Sequence, residues 1–341
     1  MVTRREMIGG MVFSAAAGEA RAEDSMDEML RSQNFSGAVL ARRQGRLVHR
    51  AAYGLANAEH NVANSPDTRF PIASISKTMT AGAVLKLAAA GRIDLDALVS
   101  RYIDAPASWR GITVSQLLNH SDGLPDVVRQ PDFGERMLHR VTLAQTIAWL
   151  RTLPLAFTPG TDVAYGNSGH IVAAGIVEQV SGQAFSAFLS REIYAPLGMT
   201  NSGFADNEQV IPRLANGYRA VDGELRRPDF IDMSVTIGAG SEFSTVDDLA
   251  LWIERLQGGA LAPPRLTRRM FTPSADVYGM SWSIERFEGK QLVSHIGDIN
   301  GFCSYLGRLP NEDLTVVLLS NMERTPTRDI ALALARQTLA A

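Results

Sequence analysis

Strand-like segments stand at both ends of this chain, and a long stretch of helical spacing lies between them. Gly37-Ala-Val-Leu-Ala-Arg-Arg and Arg46-Leu-Val-His-Arg-Ala-Ala-Tyr flank Gln44-Gly45, which predicts a β-hairpin. Four further strands are predicted over Gly279–Arg286, Gln291–His295, Phe302–Leu309 and Leu314–Leu319, before a final helix from about Thr327 to Leu339. The middle, from about Ser74 to Gly259, reads as mostly helical. Thr113-x-x-Gln116 and Thr142-x-x-Gln145 are capping boxes ahead of apolar-periodic runs. Ser168–Val180, Ala184–Tyr194 and Val246–Leu256 have helical spacing. The predicted class is α/β, of the α+β kind: one antiparallel sheet drawn from both termini, helices on its face, and an all-helical subdomain inserted within about 95–260.

The 341 residues fit one large domain or two interlocked subdomains. A net charge of −3 gives no electrostatic case for nucleic acid. The one cysteine, Cys303, excludes an internal disulfide, and its apolar setting predicts a buried, inert thiol. Thr3-Arg4-Arg5-Glu6-Met7-Ile8 resembles a twin-arginine export signal. A short apolar run to about Ala17 and an A-x-A-like site at Ala20-Arg21-Ala22 follow. Residues 1–22 are therefore expected to direct export, leaving 23–341 as a single periplasmic or secreted domain. The apolar run is shorter than the about 20 residues a spanning helix needs, so no integral membrane segment is expected.

Chemistry enters at Ser74 and Lys77, three residues apart where a helical stretch begins. Positions i and i+3 share a helix face, so hydroxyl and amine can meet, and the pair can form an activated nucleophile. The alternative is a polar helix start with an exposed lysine. The chain has three lysines, and only Lys77 has Ser at minus three. Tyr165-Gly-Asn167 is the only Y-x-N, and His295-Ile-Gly297 the only H-x-G or K-x-G. Other matches fail. Ser121-Asp122-Gly123 lacks the amide of S-D-N. Gly166-Asn-Ser-Gly-His170 fails as G-x-S-x-G, and Ser168 reads as a helix N-cap. The histidines lack metal-ligand spacing, and His49 and His60 read as polar surface, so neither metal nor cofactor is expected.

Three single-occurrence motifs in the order S-x-x-K, Y-x-N, H-x-G resemble the serine β-lactamase and penicillin-binding-protein superfamily. The match is to the branch holding class C β-lactamases, D-alanyl-D-alanine carboxypeptidases, D-aminopeptidases and esterases. Tyr53-Gly-Leu-Ala-Asn-Ala-Glu, Gly91-Arg-Ile-Asp-Leu-Asp, Leu117-Leu-Asn-His-Ser-Asp-Gly-Leu-Pro and Gly301-Phe-Cys-Ser extend the resemblance over roughly residues 30–335. It implies a β-lactamase/transpeptidase-like fold with the active site where sheet and helical parts meet. It implies Ser74 as nucleophile, Lys77 and Tyr165 as proton-transfer partners, and Asn167 as a ligand of the substrate amide and the lysine. His295-Ile-Gly is expected on an edge strand walling the site, with Gly297 letting substrate approach. The oxyanion hole would use the N–H groups of Ser74 and Asp298. Substrates could be small esters, D-alanyl peptides or β-lactams, hydrolysed or, in a sensor, only bound covalently. Histidine is mostly neutral at pH 7, unlike lysine, which points to uncharged esters.

Overall fold

The computed structural model describes residues 25–340, so the expected export segment lies outside them. The main sheet has six strands: β1 (Gly37–Arg43), β2 (Arg46–Tyr53), β3 (Ser283–Phe287), β4 (Lys290–Ile299), β5 (Phe302–Leu309) and β6 (Leu314–Ser320). They lie in the order β3-β4-β5-β6-β1-β2, every neighbour antiparallel. The first and last parts of the chain thus build one sheet, joined where Gly37–Arg43 pairs with Leu314–Ser320. Gln44 and Gly45 both take positive φ, 50° and 72°. That is the twist a two-residue hairpin turn requires, and it fixes the β1–β2 register.

Alternation along the strands sends side chains to two cores. Val39, Ala41, Val316 and Leu318 pack with Met26, Leu30, Ile330 and Leu334, under the terminal helices α1 (25–32) and α7 (Thr327–Ala340). Ala38, Leu40, Val317 and Leu319 face the larger core. That core holds α2 (Ser76–Ala89), α3 (Val114–Leu118), α4 (Leu143–Leu150), α5 (Ser168–Ser181) and α6 (Val246–Gln257). Strand β6 is buried along its whole length because both faces are covered, which explains its Val316-Val-Leu-Leu319 run. Both expected capping boxes form at Thr113–Gln116 and Thr142–Gln145.

Several local expectations change. The stretch at 198–241 is mostly extended and turn structure; its short strand Gly203–Phe204, like Phe70–Pro71, pairs with Glu242–Ser244. The Ala184–Tyr194 run splits into an α-turn, Phe185–Phe188, and a π-helical turn, Leu189–Tyr194. Strand β4 runs four residues past His295, because pairing with β5 continues to a two-residue turn at Asn300-Gly301. His49 is buried, not polar surface; it lies 3.1 Å from the Tyr53 hydroxyl, beneath α1. No helix among the described residues is long and apolar enough to cross a membrane.

Candidate active site

Ser74 lies in a single 3-10 turn, Ala73–Ile75, that leads directly into α2. The turn is clamped from both sides. The Ile72 N–H donates to the Glu242 carbonyl at 2.9 Å, and the Ile72 carbonyl accepts from Ser304 Oγ at 2.8 Å. Ala73 takes φ +49°, a left-handed conformation that costs a non-glycine residue of the order of 1–3 kcal/mol and persists only where surroundings enforce it.

One turn on, Lys77 is fully buried. Its Nζ donates to Ser74 Oγ at 2.9 Å, to Asn167 Oδ1 at 2.8 Å and to the Ala239 carbonyl at 3.0 Å. Those three contacts use every proton of an ammonium. Burial pushes Lys77 down to about 7, with Asp126 pulling weakly the other way. Once a proton is lost, two N–H bonds still serve Asn167 and Ala239, and the lone pair is left facing the Ser74 hydroxyl.

Asn167 is oriented by Asp126, whose Oδ1 accepts from the Asn167 backbone N–H at 3.1 Å and from Nδ2 at 3.0 Å. With Nδ2 so engaged, Oδ1 must face Lys77. Asn167, rather than Ser168, is the N-cap of α5; Ser168 Oγ instead donates to the Pro125 carbonyl and accepts from the Val127 N–H. Tyr165 stands beside this group, its ring 5.0 Å from Lys77 Nζ and 4.6 Å from the His120 ring. Burial raises the Tyr165 phenol above its ordinary range, and a hydrogen bond with Ser74 offsets this in part. The residue is 37% exposed to the cleft, which moderates the shift without changing its sign. It is therefore a protonated phenol at neutral pH.

His295, Gly297 and Asp298 come from β4, which is an internal strand, not an edge. Its neighbour β3 ends its pairing at Ser294, however, so 295–299 are free on that side and form a local edge. Ile299 and Phe302 close the two-residue turn, so Asp298 and Cys303 face each other as the next pair, and the Asp298 N–H points away from β5 toward the open side. At Gly297 the protein itself also comes close. A Cβ there would sit 2.3 Å from the Ile72 carbonyl, 2.3 Å from Ser304 Oγ and 3.1 Å from the Ser74 nitrogen. The glycine lets the strand lie against the turn that carries Ser74.

His295 is buried with Nδ1 2.6 Å from the Ile296 carbonyl, so Nδ1 carries the proton. Burial, then the charge of Lys77, pushes it down to about 3, making it a neutral wall across the physiological range. His120 and His170 are likewise held well below the usual histidine range by burial. Asp298 is exposed at the lip, and no cation among the described residues forms an ion pair with it. Burial, with Asp298 beside it, pushes the Cys303 thiol up to about 12. Asp122 is buried with Oδ1 on the Leu124 N–H at 2.7 Å, pushed up to about 7 by burial, and closes a turn away from Ser74.

Together these residues line a cleft of about 580 Å³. Ser74, Lys77, Tyr165, Asn167, His295, Gly297 and Asp298 all meet there or directly behind it. Asp126, Ser304 and the Ala239 carbonyl were not foreseen. Asp126 is 41 residues from Asn167 in sequence, and no spacing links them. Among the described residues no cluster of His, Cys, Asp or Glu could hold a metal ion.

A turn carrying Ser74, braced by an internal β-strand and set beside a buried lysine and a Y-x-N loop, matches the layout of the serine β-lactamase and penicillin-binding-protein superfamily. The chain belongs to the Beta-lactamase family, whose model matches residues 21–340. Penicillin-binding protein 4* of Bacillus subtilis (strain 168) is 25% identical over 312 residues, covering 85% of this chain and 68% of its own length. Among solved structures, the octameric penicillin-binding protein homologue from Pyrococcus abyssi aligns with a TM-score of 0.82 at 26% identity, over 94% of this chain and 77% of that one. The D-amino acid amidase from Ochrobactrum anthropi SV3 shares the fold, with a TM-score of 0.82 at 21% identity, over 94% of this chain and 99% of that one.

Proposed function

We propose that the protein is a serine hydrolase that cleaves a small ester or a D-alanyl-type peptide through an acyl-serine intermediate. The observation that carries this reading is the buried Lys77 amine, pushed down to about 7 and 2.9 Å from Ser74 Oγ. Neutral Lys77 takes the hydroxyl proton as Ser74 Oγ bonds to the substrate carbonyl carbon. The resulting oxyanion lies between the N–H groups of Ser74 and Asp298; such donors are each worth about 10²–10³ in rate. The proton then passes by way of Tyr165 to the leaving group as its bond to carbon breaks. Water repeats the sequence in reverse and frees Ser74. Tyr165 relays a proton rather than standing as a phenolate, since ionising an ordinary phenol at pH 7 costs roughly 4 kcal/mol. The neutral His295 wall favours uncharged esters over anionic β-lactams.

Labelling with a fluorophosphonate probe, followed by mass spectrometry, tests this directly. The adduct is expected on Ser74 and absent from Ser74→Ala; an adduct elsewhere overturns the assignment. A panel of p-nitrophenyl esters, D-alanyl dipeptides and nitrocefin then separates the substrate classes. Steady turnover of nitrocefin alone would make the protein a β-lactamase, and a burst without turnover a penicillin-binding sensor. The Arg4-Arg5 leader is part of the proposal: the exported chain should begin near Glu23, and a mature protein that retains Met1 in its native host would refute export.

A further inference from the structure

The cleft runs along β4 and its two ends differ. Val128, Phe133, Ile231 and Ile299 line one end, with Arg129, Asp298 and Asn300 beside them. Tyr278, Ser283, Glu285, Ser294 and Arg328 make the other polar. The Tyr165 ring lies 6.3 Å from that of Tyr278, whose backbone bridges to Ser283 at the start of β3. If Tyr165 passes the proton to the leaving group, as the proposed function holds, the leaving group occupies the polar end.

An arginine at that end would ordinarily invite a carboxylate, because its planar fork matches the two oxygens. Arg328, from the first turn of α7, already holds one. Its Nη2 donates to Glu285 Oε2 at 2.5 Å, and Ser283 Oγ donates to Glu285 Oε1 at 2.8 Å. The rest of that wall offers an anion nothing. His295 is neutral, Ile296 presents an apolar side chain that is 47% exposed, and Asp298 adds a carboxylate further along.

We propose that Glu285 is a built-in anion that occupies Arg328 and sets specificity at the leaving-group end. Leaving groups without a carboxylate, such as neutral alcohols, phenols and amines, are accepted. Those bearing one must displace Glu285 from Arg328 and are disfavoured. Specificity of this kind is a difference between two affinities, achieved by spoiling one of them.

The test compares phenyl acetate with its 3-carboxy analogue, which differ by that one carboxylate group. The wild type should favour phenyl acetate. In Glu285→Gln the ratio of kcat/KM, carboxylated over neutral, should rise about fivefold or more, the scale of one partly exposed ion pair. Adding Arg328→Gln should cancel the gain, and high salt should shrink it. Should Glu285→Gln fail to fold, Ser283→Ala loosens the same carboxylate and should move the ratio the same way by a smaller factor. A ratio unchanged within twofold in a folded variant, or a gain that survives loss of Arg328, overturns the proposal. If neither ester nor benzylpenicillin acylates Ser74 in any variant, the hydrolase reading itself fails and takes this one with it. An active enzyme with an unmoved ratio sinks only this inference.

Discussion

Both nitrogens of Asn167 are bound by one oxygen of Asp126, at 3.1 and 3.0 Å, and this leaves Asn167 Oδ1 no direction but toward Lys77. Asp126 therefore acts on the reaction through Asn167 and through its charge. Asp126→Ala should lower kcat by about 10–100-fold as Asn167 loses its orientation. It should also move the acid limb of the pH–rate profile to lower pH, because the Asp126 charge offsets part of the burial that lowers Lys77. A merely structural role would reduce activity without moving the limb.

The acid limb itself is the second prediction. With Lys77 at about 7 and required neutral, kcat/KM should rise through about pH 7 and level off above it. Lys77→Ala should remove the limb and more than 100-fold of the rate, the usual scale of general acid–base catalysis. Tyr165→Phe should cost as much. Because the two share one proton path, the double variant should lose far less than the product of the single losses. Initial rates from pH 5 to 9 settle the limb.

Gly297→Ala should inactivate the enzyme while leaving it folded. The added methyl would stand 2.3 Å from both the Ile72 carbonyl and Ser304 Oγ, so β4 must draw back from the turn that holds Ser74. A shift of about 1 Å at an oxyanion donor can cost about 100-fold. Circular dichroism should report a native fold beside a loss in kcat of that size; near-normal activity would show that strand and turn adjust freely.

Glu242 supplies a stability test. Its carboxyl is fully buried, and burial pushes it up to about 7, with Ser76 and nearby backbone N–H groups offsetting this only in part. Between its unfolded value near 4.3 and about 7 the native state holds more protons than the unfolded one, so stability falls as pH rises through that window. Asp122, also pushed up to about 7, adds a slope of the same sign. Glu242→Gln should remove its share, stabilising the protein at pH 8 by an amount on the order of 3–4 kcal/mol and little at pH 4. Urea unfolding at the two pH values reads it out; an equal effect at both would mean that Glu242 is ionised throughout.

The sequence made the motifs, the hairpin and the capping boxes legible because each depends on residues close together in the chain. Ser74 and Lys77 lie one helical turn apart, Thr113 and Gln116 satisfy each other, and Gln44-Gly45 sets its own turn. What stayed hidden depends on distant partners. His49 is buried only because α1 covers that face of β2. Strand β4 is internal only because β3 pairs with its first half. Ser168 looks like a cap until Pro125 and Val127 claim its hydroxyl. At Gly297 nothing local shows that Ile72, 225 positions earlier, also comes close.

The clamp on the nucleophile turn has a consequence in time. Ser74 leaves the ribosome early, but Ser304, Gly297 and the β6 partner of β1 come roughly 220–245 residues later. At about 5–20 residues per second that is a delay on the order of tens of seconds. Until then Ala73 has no reason to hold its strained conformation, and the Asp298 N–H, the second donor of the proposed oxyanion hole, is not in place. On the proposed function, the growing chain is a latent hydrolase. Its reactivity should switch on only when its last quarter folds back onto its beginning, so nascent chains should resist the fluorophosphonate probe that is expected to label the finished protein.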